Sequence, residues 1–140
     1  MFNPSRNEVR EFFFALWEKS RSGAPLTPLE AMALDVVHAH PEYHGVLSDP
    51  ERYRDREWTP EGGETNPFLH LSVHLAIEEQ LSIDQPPGIR AIVQSLESKK
   101  GNAMDARHAV MECLVEQVWQ AQKNAVAFNN EAYLECLRRR

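Results

Sequence analysis

A chain of 140 residues falls within the size range of one domain and can bury most of its apolar surface without a disulfide or a metal clamp, so a single domain over 1–140 is expected. With 42% hydrophobic and 26% charged residues it is too apolar to be disordered, and 15 basic against 21 acidic residues, a formal charge of -6, set its overall field against nucleic acid and anionic lipid. No apolar run approaches the ~20 residues of a membrane span, and the start MFNPSRNEVREFFFALWEKS mixes charge into its apolar stretch, unlike a secretory signal, which leaves a cytoplasmic protein by elimination.

In the first segment, Val9, Phe12, Phe13 and Leu16 recur at the i, i+3, i+4, i+7 spacing of one helical face, with Asn3 or Ser5 available as a cap beside Pro4. Gly23 closes this helix and Pro25 follows. TPLE, residues 27–30, has the form of a capping box with Pro28 at the first helical position, so a second helix starts there. Pro41 ends it near Ala39 or kinks it, and PEYHGVLSD can add a short piece.

Residues 48–65, SDPERYRDREWTPEGGET, carry Pro, Gly and charge without an apolar period and are expected to form a long loop, with Tyr53 and Trp58 folding it over a site or anchoring it. Gly62 and Gly63 lack the strand, turn and helix around them that a phosphate-binding loop needs. Asn66 and Pro67 then open a third helix that runs to about Ser82, where DQPPG breaks it. A fourth covers Ile89 to Lys99 and is closed by Gly101; a fifth runs from about Ala103 to Lys123; the last, EAYLECLRRR, is capped by Asn129 or Asn130. No alternating β-branched run occurs. The chain therefore reads as all-α, a single-domain helical bundle of four main helices with short extra ones.

Cys113 and Cys136 lack CxxC spacing and sit in helical sequence, so two free thiols in a reducing compartment are expected, with one disulfide as the alternative. The terminal arginines, Arg138 to Arg140, read as a solvated helix end facing the negative pole of the helix dipole.

The most informative run is NPFLHLSVHLAIEEQ, residues 66–80. At about 100° per residue, His70 and His74 fall at the middle of the apolar arc of the third helix, between Leu69, Val73, Ile77 and Leu81 on one flank and Phe68, Leu71 and Leu75 on the other; Glu78 lies next to them. The fifth helix repeats the pattern: Met104, Met111, Val115, Val118, Trp119 and Val126 form its apolar face, with His108 inside it and Glu112 one turn on. HAHPEYH adds His38, His40 and His44 near the end of the second helix.

Two chemistries fit such a cluster. In the first, the HxxxH pair supplies two imidazole nitrogens from one helical face, and His44, His40, His108, Glu78 or Glu112 completes the site or serves as base for a divalent transition metal: Zn, Fe, Mn or Ni. This spacing resembles that of helical-bundle metalloproteins, DinB-like metal binders among them, while the Glu-x-x-His signature of ferritin-like di-iron bundles is absent. In the second, the same groups form a buried hydrogen-bonded network without a ligand, and the protein is a non-enzymatic module that binds a protein partner or a second copy of itself. Neither cysteine nor Ser72 stands in a nucleophile motif, so no reaction is assigned.

The stretches MFNPSR, PLTPLEAMALDVVHAHPEYH, GGETNPFLHLSVHLAIEEQLSIDQPPGI and HAVMECLVEQVWQAQ with the terminal YLECLRR together resemble the DUF1841 family of small bacterial proteins. The resemblance covers essentially the whole chain. It implies a compact bacterial protein whose signature runs contain His40, His44, Asn66, His70, His74, Glu78 and His108, and it supplies no reaction or substrate.

Overall fold

A computed structural model describes residues 5–59 and 65–140. All regular structure among these residues is helical, as the periodicity predicts: α1 (Arg6–Ser22), α2 (Pro28–His38), a 3-10 turn (Pro41–Tyr43), α3 (His44–Leu47), α4 (Pro50–Tyr53), α5 (Pro67–Ile83), α6 (Ile89–Lys100), α7 (Ala103–Lys123) and α8 (Asn130–Arg139). The contacts divide the chain into two compact units, Met1–Leu75 and Ala76–Arg140, with the division falling inside α5.

Local signals set the helix ends. Ser5 caps α1 by accepting from the Glu8 N–H, and Gly23, at φ 75°, closes it in the left-handed region that a glycine enters without steric cost. Thr27 and Glu30 form the reciprocal capping box of α2: Thr27 Oγ1 accepts from the Glu30 N–H at 3.1 Å, and Glu30 Oε1 accepts from the Thr27 N–H at 2.9 Å. The other Glu30 oxygen receives Lys19 Nζ at 2.7 Å, joining the end of α1 to the start of α2. These donors, the lysine first, hold the Glu30 carboxyl below its ordinary pKa.

The core of the first unit is aromatic and aliphatic: Phe13, Phe14 and Leu16 from α1, Ala33, Val36 and Val37 from α2, Leu47 from α3, and Phe68, Leu71 and Leu75 from α5. It encloses one cation. Arg10 is 2% exposed, and its Nη1 donates to the carbonyls of Tyr53, Arg54 and Arg56, at 2.9 Å and 2.8 Å for the latter two. Its guanidinium carbon stands 5.2 Å from the Trp58 ring centre and 5.0 Å from that of Phe68. The long-loop expectation for 48–65 is thereby refined. The segment carries α4, and its next turn is wrapped around a buried guanidinium, with Tyr53 and Trp58 stacked as its anchor; residues 60–64, with the Gly62–Gly63 pair, lie outside the described residues.

In the second unit, α6, α7 and α8 pack against one another through Ile89, Val93 and Leu96, through Ala106, Ala109, Val110 and Cys113, and through Tyr133, Leu134 and Leu137. Burial pushes the Tyr133 hydroxyl pKa up, and that hydroxyl donates to Gln80 Oε1 at 2.7 Å. Two expectations are corrected here. Cys113 and Cys136 form a disulfide, with 5.9 Å between their Cα atoms, because packing α8 on α7 brings the two positions into bridging range. The buried face of α7 is the small-residue stripe 106, 109, 110 and 113, whereas Val115, Val118, Trp119 and Val126 are exposed. The reason is length: α7 has 21 residues and its neighbours α6 and α8 only 12 and 10, so its C-terminal turns outrun the cover they provide.

Candidate metal centre

The centre is built where α2 stops. Proline at 41 disfavours helical backbone at the residue before it, and His40 takes φ -127°, ψ 67°. That break ends the regular helical bonding at the last carbonyls of α2, and two imidazoles reach back to them; the Val37 carbonyl also accepts from the His40 N–H at 3.0 Å. His40 Nδ1 lies 3.0 Å from the Val36 carbonyl, and His44 Nε2 lies 2.9 Å from that of Val37. A carbonyl can only accept, so each of these nitrogens carries the proton. The bond fixes the tautomer of neutral His40 with its lone pair on Nε2, on the far edge of the ring.

That edge faces α5. Asn66 starts α5 by accepting from the Phe68 N–H at 3.0 Å and the Leu69 N–H at 3.3 Å. From this start the i, i+4 spacing puts His70 and His74 on one face, with ring centres 5.0 Å apart. His40 fits against both, its ring centre 4.7 Å from that of His70 and 4.6 Å from that of His74. The Nε2 atoms of His40 and His70 are 3.0 Å apart, and one donor nitrogen from each of the three rings lies within 4.8 Å of the others. His40 is 3% exposed and His74 2%, while His70 is partly open. Tyr43, in the 3-10 turn, stacks parallel on His40 at 5.6 Å and meets His70 edge-on at 5.8 Å; its hydroxyl pKa is raised, chiefly by burial and then by Glu42.

Three converging imidazoles make a set close enough to hold a metal ion. Nitrogens bound at 2.0–2.1 Å to a tetrahedral ion stand about 3.3 Å from one another, near the His40–His70 separation. The Nδ1 bond of His40 to a backbone carbonyl also matches the outer support that metal-binding histidines usually have.

Three of the other candidates have partners of their own. Glu78 accepts from Arg107 Nε at 2.7 Å, and Arg107 also holds Glu97 at 2.6 Å, so this carboxylate is engaged in an ion triad of the second unit. Glu112 is exposed and pairs with Arg140 at 2.8 Å. His44 turns toward Trp17, with ring centres 4.5 Å apart, and gives its Nε2 proton to the α2 terminus. His108 sits half-buried on α7 in the second unit. Sequence reasoning passes over Tyr43; the available signal is its place three residues after His40 in a proline turn, where both rings leave on one side.

No described helix is long and apolar enough to cross a membrane. No curated protein and no solved structure matches the chain. The family model described as a domain of unknown function, DUF1841, matches residues 5–139, and over that span, which includes every histidine of the centre, the chain belongs to the DUF1841 family.

Proposed function

We propose that the protein binds a divalent transition metal through His40, His70 and His74. The observation that carries this reading is the convergence of three ring nitrogens within 4.8 Å, one of them with its lone pair set by a backbone carbonyl on the opposite edge. Imidazole donors suit Zn, Fe, Ni or Cu; the absence of Asp and Glu from the converging donors, among the described residues, disfavours Mn. His108 enters the proposal from its place in the sequence pattern, as a further donor to be tested by substitution.

Elemental analysis of the untagged full chain, expressed with added metals, is expected to find close to one ion per chain. His74→Ala and His40→Ala should each abolish retention, while His44→Ala leaves it intact. Only traces of metal in the unsubstituted chain would refute the reading.

A second reading is supported by the 3.0 Å contact between His40 Nε2 and His70 Nε2, which a neutral pair can fill with one N–H···N bond. In that case the histidines tie α2 to α5, and the protein acts as a non-enzymatic module whose exposed Val115, Val118 and Trp119 meet a protein partner or a second copy. His74→Ala would then cost about 1–3 kcal/mol of stability with no change in metal content. Light scattering on the eluted protein would detect self-association.

A further inference from the structure

We infer that two copies of this chain associate through the C-terminal half of α7, antiparallel to one another about a two-fold axis that passes between Trp119 and Gln120. The inference names the occupant of the exposed face in the second reading above, and it rests on that face being an interaction surface. Val115, Val118, Trp119 and Val126 are four of the seven large apolar side chains exposed among the described residues, and they fall within the single stretch 115–126. Apolar side chains scattered singly over a surface need no explanation; a strip of them marks a surface that meets another.

What meets it follows from charge. At about 100° per residue, Val115, Val118, Trp119 and Gln122 share one face of α7, and Glu116 and Lys123 lie together on the flank beside Trp119. Lys123 Nζ stands 4.7 Å from the Trp119 ring centre, which places the ammonium on that flank. Both charges are exposed. Glu116 Oε1 accepts from Gln120 Nε2 at 3.0 Å, and among the described residues Glu116 meets no cation and Lys123 no carboxylate. Glu112, by contrast, already holds Arg140 at 2.8 Å. The flank thus carries one uncompensated charge of each sign, two helical turns apart.

A two-fold axis perpendicular to α7 sets this flank against the same flank of the second copy and reverses its direction. Glu116 then stands level with the partner's Lys123, Lys123 stands level with the partner's Glu116, and the two Trp119 rings meet beside the axis. A parallel pairing sets the flank against the opposite one, which carries Leu114, Gln117 and Ala121, and leaves both charges without a counterpart. The face is therefore complementary to itself, as an interface between like copies has to be. Its strip is short against the roughly 1,200 Å² that a stable interface buries, so the dimer is weak and forms at high concentration.

The test is sedimentation equilibrium of the untagged full chain up to about 1 mM, the weak end of measurable affinity, where monomers are expected to pass into dimers. Trp119→Ala changes an exposed side chain and should abolish the dimers with the far-ultraviolet circular dichroism unaltered. Glu116→Lys and Lys123→Glu should each weaken dimerisation about tenfold, because the symmetry repeats every like-charge contact. An equimolar mixture of these two single variants, and the chain carrying both substitutions, should associate as well as the unsubstituted protein. Dimers lost in Trp119→Ala yet indifferent to both charge changes overturn the antiparallel pairing and leave the face an interaction surface. Dimers that persist in Trp119→Ala overturn the face as well. Monomers at every concentration overturn the second copy as its occupant.

Discussion

The two units solve the problem of a small core in opposite ways. The first buries polar groups inside an aromatic shell: a guanidinium holding three backbone carbonyls, and imidazoles crowded ring to ring. The second keeps its interior apolar, adds a covalent cross-link between α7 and α8, and leaves its ion triad on partly open side chains. Buried polar groups are costly and stay in place only when their partners are well arranged. The difference makes the interior of the first unit depend on well-placed polar partners and that of the second on apolar packing and a cross-link.

Substitution in the first unit should have the largest effect. Arg10→Ala removes the donor from the carbonyls of Tyr53, Arg54 and Arg56 and empties the space against Trp58 and Phe68, and it is expected to cost about 3–4 kcal/mol. Arg10→Lys should recover only part of this, since a single ammonium cannot reproduce the flat fork of donors. Denaturant melts of the three proteins measure it, and a loss below that of an average surface substitution would break the contrast.

In the second unit the largest single contribution should be the covalent one. Cys113 and Cys136 are 23 residues apart, and closing a loop of that length stabilises by about 3 kcal/mol through the unfolded chain. Cys136→Ser, or reduction of the native protein, is expected to lower stability by that amount while metal uptake through His40, His70 and His74 persists. Mass spectrometry after alkylation under native conditions checks the bridge itself, since thiols that label without reductant would show it unformed.

Smaller still is the acid response at the start of α2. Glu30 has a lowered pKa in the folded chain because Lys19 and Thr27 donate to its charged form, so its contribution is present above the ordinary carboxylate range and is lost as pH falls through the lowered value. The stability difference between the native chain and Glu30→Gln should therefore shrink toward low pH. A difference that widens on acidification would reverse the sign of the argument.

What the sequence displays is whatever depends on near neighbours. Thr27, Asn129, Gly23 and Gly101 mark helix ends because a cap is satisfied within a few residues of itself, and all four act as expected. The pairing of His70 with His74 is legible for the same reason. Helical geometry also sets Glu78 beside them, but it cannot see that Arg107, on another helix, claims the carboxylate. The stripe Val115, Val118 and Trp119 has correct helical spacing yet stays exposed, because which face of α7 is covered depends on how far α6 and α8 extend. In the sequence His40 stands out only as one of several nearby histidines; its aim comes from a proline-terminated helix turning the ring back on its own carbonyl.

That turned ring restricts how the centre could change over time. Position 40 must offer a proton on one side and a lone pair on the other, across a rigid plane, and among the common side chains only imidazole does both at that span. A shift toward a harder or softer ion at the proposed site would thus come more readily from exchanging residues on α5, at 70 or 74, than from position 40. Were an ion held there, position 40 would be the corner whose side chain is bound on both edges.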